Sequence, residues 1–136
     1  MPPPLPKPRR WPCCASIGGT RRFGRGRKIL STRCWTGQDT LALLPTGGGK
    51  SICFQVPALA RPGICLVVSP LIALMKDQVD NLRRRGLKAE AIYAGMSHQE
   101  IDHALDNCVY GAAVKFLYVS PRAAADRSCF RCGWRR

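Results

Sequence analysis

With 136 residues, the chain has the length of one domain of ordinary size. Its formal net charge of +14 comes almost entirely from the two ends, because residues 1–36 carry nine Lys or Arg and no acid, and residues 122–136 carry five against one. Residues 37–121 carry eight basic and seven acidic side chains, so the excess charge does not indicate that the middle of the chain binds nucleic acid.

The sequence predicts neither a membrane span nor a disulfide framework. The longest apolar stretch, residues 64–75, has 12 residues and contains Ser69 and Pro70, so it is too short to cross a bilayer. Cys129 and Cys132 form a single Cys-x-x-Cys pair with no second pair, and structural zinc is therefore not expected. Three cysteines lie in apolar segments and are interpreted as small buried residues: Cys53, Cys65 and Cys108. We expect a reducing, intracellular setting.

The two ends are predicted to be disordered. Residues 1–12 contain six prolines, and residues 13–36 show neither helical nor strand periodicity. Their basic side chains would bind any polyanion without selectivity, whereas a solvated tail is the simpler interpretation. Residues 122–136 form a second basic tail.

From residue 37 onward, the sequence predicts strands that alternate with helices. Short apolar runs, typical of strands buried on both faces of a parallel sheet, predict strands at 40–44, 64–68, 89–94 and 114–119. Helices are predicted at 51–60, from Pro70 to Gly86, and from Ser97 to about residue 108. This alternation predicts an α/β fold, a parallel sheet with helices on both faces.

Side-chain spacing gives finer expectations for each helix. Pro57 should kink or end the first helix. The second helix should bury one apolar face, made of Leu71, Leu74, Met75, Val79 and Leu82. Ser97 and Glu100 have the spacing of a capping box at the start of the third helix, which should bury Ile101 and Leu105.

Residues 41–51, Leu-Ala-Leu-Leu-Pro-Thr-Gly-Gly-Gly-Lys-Ser, have the pattern of a phosphate-binding loop. Three glycines let the backbone N–H groups curl around an anion, and a helix starting near Lys50 would direct its positive dipole end there. Lys50 would reach the β- and γ-phosphates, and the Ser51 hydroxyl would bind Mg²⁺. Leu44 replaces a glycine of the strict pattern, and a flexible turn before a surface lysine is the alternative. The candidate nucleotide-binding residues are Thr46, Gly47, Gly48, Gly49, Lys50 and Ser51.

Ligands of such folds lie beyond the carboxyl-terminal ends of the strands, the edge called the rim below. The glycine loop, the Ser69 and Pro70 turn, and the Ser120 and Pro121 turn each follow a predicted strand. The sequence therefore places three candidate contact loops on the rim.

Four stretches of the middle region carry a family pattern. They are residues 43–51 with Phe54, Gln55 and Pro57 after them, residues 69–79 (Ser-Pro-Leu-Ile-Ala-Leu-Met-Lys-Asp-Gln-Val), residues 93–95, and residues 118–121 (Tyr-Val-Ser-Pro). Together they resemble the N-terminal part of the first motor domain of a RecQ-type DNA helicase. The stretch at 69–79 is the most specific, and the resemblance covers residues 37–121.

The resemblance implies a partial, RecA-like ATP-binding domain at residues 37–121. It implies ATP and Mg²⁺ as cofactors and, in a complete protein, 3′–5′ unwinding of DNA in repair and recombination, in the cytoplasm near the nucleoid or elsewhere inside the cell. Carried over by position, the loops at Ser69, Pro70 and Leu71 and at Ser120 and Pro121 would contact the backbone of single-stranded or forked DNA. Ordinary strand-to-helix turns are the alternative for both loops.

The chain departs from the family where hydrolysis would occur. An acidic residue after an apolar strand holds Mg²⁺ and orients water in P-loop enzymes, but Pro45, Ser69, Gly95 and Ser120 follow the predicted strands. The family's Asp-Glu-x-His box, second motor lobe and arginine finger are absent. We therefore expect this chain alone neither to turn over ATP nor to unwind DNA.

Both ends depart from the family as well. The family has an adenine-recognition segment where this chain has residues 20–36, and a Glu where it has Arg122. Codons can be chosen for residues 20–36 that, read one nucleotide earlier, encode a family-like segment. Our hypothesis is that both ends are translated out of frame. Two other interpretations stay open: a non-catalytic basic nucleic-acid-binding protein, and a truncated product without a stable fold.

Overall fold

A computed structural model of the chain describes residues 39–45, 49–111 and 114–125. The chain forms two compact units, Met1–Pro62 and Gly63–Arg136. The predicted basic tails lie outside the described residues, apart from residues 122–125, and so do Thr46, Gly47 and Gly48.

The described part of the first unit contains one helix, α1 (Lys50–Ala60). It begins directly after Gly49, as the sequence predicts, and buries Cys53, Gln55 and Val56. Of the two effects expected of Pro57, an end of the helix is not found, because Pro57 lies inside α1, and a kink stays a prediction. A proline has no N–H to donate to the carbonyl four residues before it, and the turn that follows Pro57 continues without that bond.

The predicted first strand, residues 40–44, is wrong. Residues 39–45 have no regular secondary structure, and Leu41 and Leu43 are each 85% exposed. A strand needs a neighbouring strand with which it exchanges backbone hydrogen bonds. In the described residues the sheet consists of three later strands, and none of them pairs with residues 40–44. The apolar run indicated burial, but it carried no information about a pairing partner.

The second unit contains a parallel sheet of β1 (Cys65–Val68), β2 (Lys88–Ile92) and β3 (Val114–Val119). Their order is β1-β3-β2, so β3 lies at the centre. Val119 aligns with Val68 on one side and with Ile92 on the other, which brings the carboxyl ends of all three strands to one rim. The three later strands of the prediction are therefore confirmed to within two residues at each end.

Helix α2 (Ile72–Arg84) connects β1 to β2 and packs against β2. It buries Met75, Val79 and Leu82, and Gly86, with φ +74°, follows its end as predicted. The predicted burial of Leu71 and Leu74 is wrong, since they are 62% and 47% exposed. Leu71 is the extended residue before the helix, and Leu74 is rotated about 100° from Met75 around the helix axis.

Helix α3 (His98–Val109) begins with the predicted capping box. The Ser97 hydroxyl accepts the Glu100 N–H at 3.3 Å, and the Glu100 carboxylate accepts the Ser97 N–H at 2.8 Å. A short helix, α4 (Pro121–Ala125), follows β3. These elements enclose one apolar core cluster, made of Ile92, Ile101, Ala104, Leu105, Leu117, Val119 and Ala123.

Both faces of the central strand are covered. Leu117 and Val119 face the core cluster beneath α3, while Phe116 and Tyr118 point to the opposite face and are 0% and 2% exposed. The result is a three-stranded parallel sheet with flanking helices, consistent with the predicted partial RecA-like domain. Of the predicted buried cysteines in the described residues, Cys53 is buried, whereas Cys65 and Cys108 are half-buried.

Candidate nucleotide and nucleic-acid site

The start of α1 is the described part of the predicted phosphate-binding loop. Gly49 has φ +73° and ψ +35°, a left-handed conformation that glycine adopts without steric strain. Its carbonyl accepts the Ile52 N–H at 3.1 Å and the Cys53 thiol at 3.6 Å, so the first helical turn closes on Gly49. Lys50 is therefore the first helical residue, and its side chain is exposed.

The electrostatics of this helix start favour an anion. The N-cap residue of α1, Gly49, has no side chain to cap the first N–H groups, and the first turn of the helix contains no acidic residue. Uncapped N–H groups and the positive end of the helix dipole attract negative charge, to which the Lys50 ammonium adds. The half-buried Ser51 follows at once and brings a hydroxyl to the same turn.

The rest of the predicted loop consists of residues 46–48 and of the segment that precedes them. Thr46, Gly47 and Gly48 lie outside the described residues, so their predicted role in holding phosphates stays a prediction. The segment before them is exposed and irregular, so the glycines do not follow a buried strand as the sequence led us to expect. In this structure the helix start alone supports the anion site.

The two other predicted contact loops lie side by side on the rim. The Ser69 N–H donates to the Val119 carbonyl at 3.1 Å, and the Ser120 N–H donates to the Ile92 carbonyl at 2.9 Å. Each loop therefore leaves the sheet just after its strand. Pro70, Leu71 and Pro121 are exposed there, which gives both loops a surface that a ligand can reach.

Ser120 has a structural role that sequence reasoning did not foresee. Its side chain is buried, and its hydroxyl oxygen accepts two N–H groups, from Ala94 and from Ala123, each at 3.3 Å. The hydroxyl thus caps the start of α4 and holds the loop that follows β2. The predicted DNA contact of this loop stays a prediction, with Pro121 as its exposed member.

Two further features of the rim were not singled out from the sequence. The Lys76 ammonium lies 4.8 Å from the centre of the Tyr93 ring, a cation–π contact between α2 and the loop after β2. A cavity of about 370 Å³ lies between that loop, the first turn of α3 and α4, with His98 and Arg122 in its lining. Sequence spacing could not reveal either feature, because the residues come from separate elements.

Metal ligands and membrane segments were also sought in the described residues. In that part of the chain, no group of three or more His, Cys, Asp or Glu side chains could hold a metal ion. None of the helices formed by these residues is both long and apolar enough to cross a membrane.

Comparison with known proteins gives consistent matches. The family model of DEAD/DEAH box helicases matches residues 27–132. ATP-dependent DNA helicase RecQ of Haemophilus influenzae is 36% identical over 127 residues, which are 93% of this chain and 20% of that relative. The RecQ proteins of Bacillus subtilis and Synechocystis are 50% and 51% identical over 84 residues, 62% of this chain and 14% and 17% of theirs.

These relatives confirm the resemblance carried by residues 43–51 and 69–79. The chain spans about a fifth or less of the length of each of these three curated relatives. The family match begins before residue 37 and ends after residue 121, so the similarity extends beyond the region that sequence motifs delimited.

Proposed function

Because the chain belongs to the DEAD/DEAH box helicase family, we propose that it is the nucleotide-binding part of a RecQ-type ATP-dependent DNA helicase. The observation that carries the proposal is the helix start at Gly49 and Lys50, within the family's phosphate-loop sequence at residues 43–51. The names of the relatives support ATP and DNA as the two ligands.

In this proposal, α1 provides the phosphate site. Gly49 turns the chain so that the first N–H groups of the helix point out of its end, where they donate to phosphate oxygens. The Lys50 ammonium neutralises charge on the β- and γ-phosphates, and the Ser51 hydroxyl is a ligand for the Mg²⁺ that accompanies ATP. Mg²⁺ prefers oxygen ligands such as this hydroxyl. Because the first turn of α1 contains no acidic residue, the positive charge at the start of the helix complements the phosphates.

The rim loops provide the DNA contact. Two strand ends joined by hydrogen bonds place Pro70, Leu71 and Pro121 on the same edge of the sheet. Contacts between these loops and the sugar and phosphate groups of DNA would position a strand without reading its sequence, which suits a protein that moves along DNA. Single-stranded or forked DNA is the proposed form.

We also propose that this chain binds nucleotide without hydrolysing it. No acidic residue directly follows β1, β2 or β3, where Ser69, Tyr93 and Ser120 stand. A P-loop enzyme needs a carboxylate at such a place to hold Mg²⁺ and help orient the attacking water.

Nucleotide binding by the intact chain tests the proposal. A fluorescent ATP analogue with Mg²⁺ should bind the wild-type chain weakly and should not bind the Lys50→Ala variant. Lys88→Ala is the matched control, because Lys88 is an exposed lysine of β2 and lies in the other unit. Equal binding by the wild type and Lys50→Ala would remove the phosphate-loop assignment.

A further inference from the structure

The two edge strands of the sheet differ in how their outer edges are protected. In β2, the Ile92 carbonyl accepts the Ser120 N–H and faces the central strand, so Ala89, three positions earlier, faces the open edge. Arg83 covers that edge, since its Nε donates to the Ala89 carbonyl at 2.9 Å and its Nη2 lies 2.7 Å from the Glu90 carboxylate. Charges on an edge strand hinder the addition of a further strand, and the outer edge of β2 is therefore protected.

The outer edge of β1 has no such protection in the described part of the chain. The Ser69 N–H donates to the Val119 carbonyl of β3 at 3.1 Å, and successive residues of a strand direct their backbone groups to opposite sides. The N–H and C=O groups of Leu66 and Val68 therefore point away from β3, to a side where the described residues form no further strand. β1 contains no charged residue, no proline and no register shift, so its edge is open to pairing.

The same two residues carry the exposed side chains of β1, and we call Leu66 and Val68 the β1 strip. They are 59% and 57% exposed. They align with Leu117 and Val119 of β3, so all four side chains lie on the face of the sheet that carries the core cluster. The β1 strip thus continues the apolar core to the open edge of the sheet.

We propose that two copies of this chain pair through β1 as antiparallel strands, which joins their two sheets across a two-fold axis at Val67. In that register, Leu66 of each copy lies opposite Val68 of the other, and each of these pairs exchanges two N–H···O=C bonds. The axis is perpendicular to the sheet, so the β1 strips of both copies lie on one face and contact each other. This self-association goes beyond the proposed function and does not depend on it.

A second copy is favoured over a different partner because the edge is complementary to itself. A two-fold interface uses the same patch on both copies, and Cys65–Val68 brings no like charges together there. Pairing occupies the open edge of each copy, while Arg83 and Glu90 protect the other edge, so assembly stops at a dimer.

The dimer should be weak and should become stronger with salt. One strand pair is a small interface, and the net charge of +14 makes two copies repel each other at long range. Salt screens that repulsion, whereas it has little effect on backbone hydrogen bonds and apolar contacts. An interface that depended on the basic side chains would show the opposite salt dependence.

Sedimentation velocity of the full chain over a concentration series, in reducing buffer, tests the proposal. The wild type should dimerise reversibly with a Kd on the order of 100 µM. Its dimer fraction should rise between about 0.1 M and about 1 M salt, as the Debye length falls from about 10 Å to about 3 Å. A wild type that stays monomeric under all of these conditions would overturn the proposal.

The variant Val68→Lys should weaken dimerisation about tenfold or more, because the two-fold axis places the added charge in both aligned pairs. Val109→Lys is the matched control, since it makes the same substitution at a residue that is 59% exposed and ends α3. Both side chains are exposed, so circular dichroism should show the wild-type thermal transition in both variants. Equal weakening by the two variants would contradict an interface at β1.

Amide hydrogen exchange of the wild type gives a readout that needs no variant. A peptide containing Leu66 and Val68 should exchange more slowly as the protein concentration rises, because its outward N–H groups become hydrogen-bonded in the dimer. Peptides from β2 should exchange at a constant rate. A dimer without this added protection of β1 would overturn the proposal, and assemblies larger than a dimer would contradict the protection assigned to β2.

Discussion

The Ser120 hydroxyl oxygen lies 3.3 Å from the Ala94 nitrogen, and this contact joins the end of the central strand to the loop after β2. The same oxygen accepts the Ala123 N–H at the start of α4. One side chain thereby fixes two of the segments that form the rim.

Replacing Ser120 with alanine should therefore destabilise the fold. The Ala123 N–H would lose its acceptor in a buried place, which costs about 1–3 kcal/mol in the free energy of unfolding, and the Ala94 N–H would lose its acceptor in a partly buried one. Urea unfolding of the wild type and Ser120→Ala measures the difference. Ser69→Ala, in the neighbouring rim loop, should change stability by less than about 0.5 kcal/mol. Equal losses in the two variants would contradict the assigned role.

Gly49→Ala should affect both folding and ligand binding. A residue with a side chain costs about 1–2 kcal/mol in the left-handed conformation that Gly49 adopts at φ +73°. Gly86→Ala is the matched control, because Gly86 has φ +74° and an added Cβ would meet no atom within 4 Å. Both variants should lose similar stability in urea unfolding, while only Gly49→Ala should weaken binding of a fluorescent ATP analogue. Equal nucleotide affinity in the two variants would argue against an anion site at α1.

Glu100 should make stability depend on acidic pH. Hydrogen bonds from the Ser97 backbone and then its side chain lower the pKa of the Glu100 carboxyl below its usual value of 4.5. A carboxyl group whose pKa is lower in the folded than in the unfolded state stabilises the fold at pH values above its unfolded-state pKa. That stabilisation is lost as the pH falls through the folded-state pKa. The urea midpoint should fall from about pH 5 toward pH 3 less steeply in Glu100→Gln than in the wild type. Asp102→Asn, in the same helix, serves as the control. If Glu100→Gln and the wild type showed the same pH dependence of stability, the capping box would not be the source of that dependence.

Arg83 should not be replaceable by lysine. Its Nη2 lies 2.7 Å from the Glu90 carboxylate, and its Nε donates to the Ala89 carbonyl of β2 at 2.9 Å. The ion pair is partly exposed and contributes about 1 kcal/mol or less, whereas a lysine keeps the charge but cannot make both contacts. Arg83→Lys should lower the urea midpoint, and Arg84→Lys on the same helical turn should not. Indistinguishable midpoints for the two variants would show that the Ala89 contact contributes nothing measurable.

The sequence predicted best those features that depend on neighbouring residues. The capping box of Ser97 and Glu100, the helix start at Lys50 and the stop at Gly86 are local, and the structure has all three. Burial depends on partners that spacing does not specify. Leu41 and Leu43 look like strand residues, yet they are exposed because the described residues offer them no pairing strand.

The rim illustrates the same limit at the candidate site. Serine followed by proline after a strand correctly predicts a loop on the rim, but it does not tell whether the hydroxyl faces outward. In Ser120 the hydroxyl turns inward to Ala94, which lies 26 positions earlier in the chain. The cavity lined by His98 and Arg122 combines residues of separate helices, so it becomes visible only in three dimensions.

Thermal unfolding with and without saturating ATP and Mg²⁺ tests the central claim most directly. A ligand that binds only the folded state raises the transition temperature, so the wild-type chain and Lys88→Ala should unfold cooperatively and at a higher temperature with nucleotide. Lys50→Ala should unfold at the same temperature with and without it. No nucleotide-dependent rise in the wild type, or an equal rise in Lys50→Ala, would contradict the assignment of the α1 start as a nucleotide site.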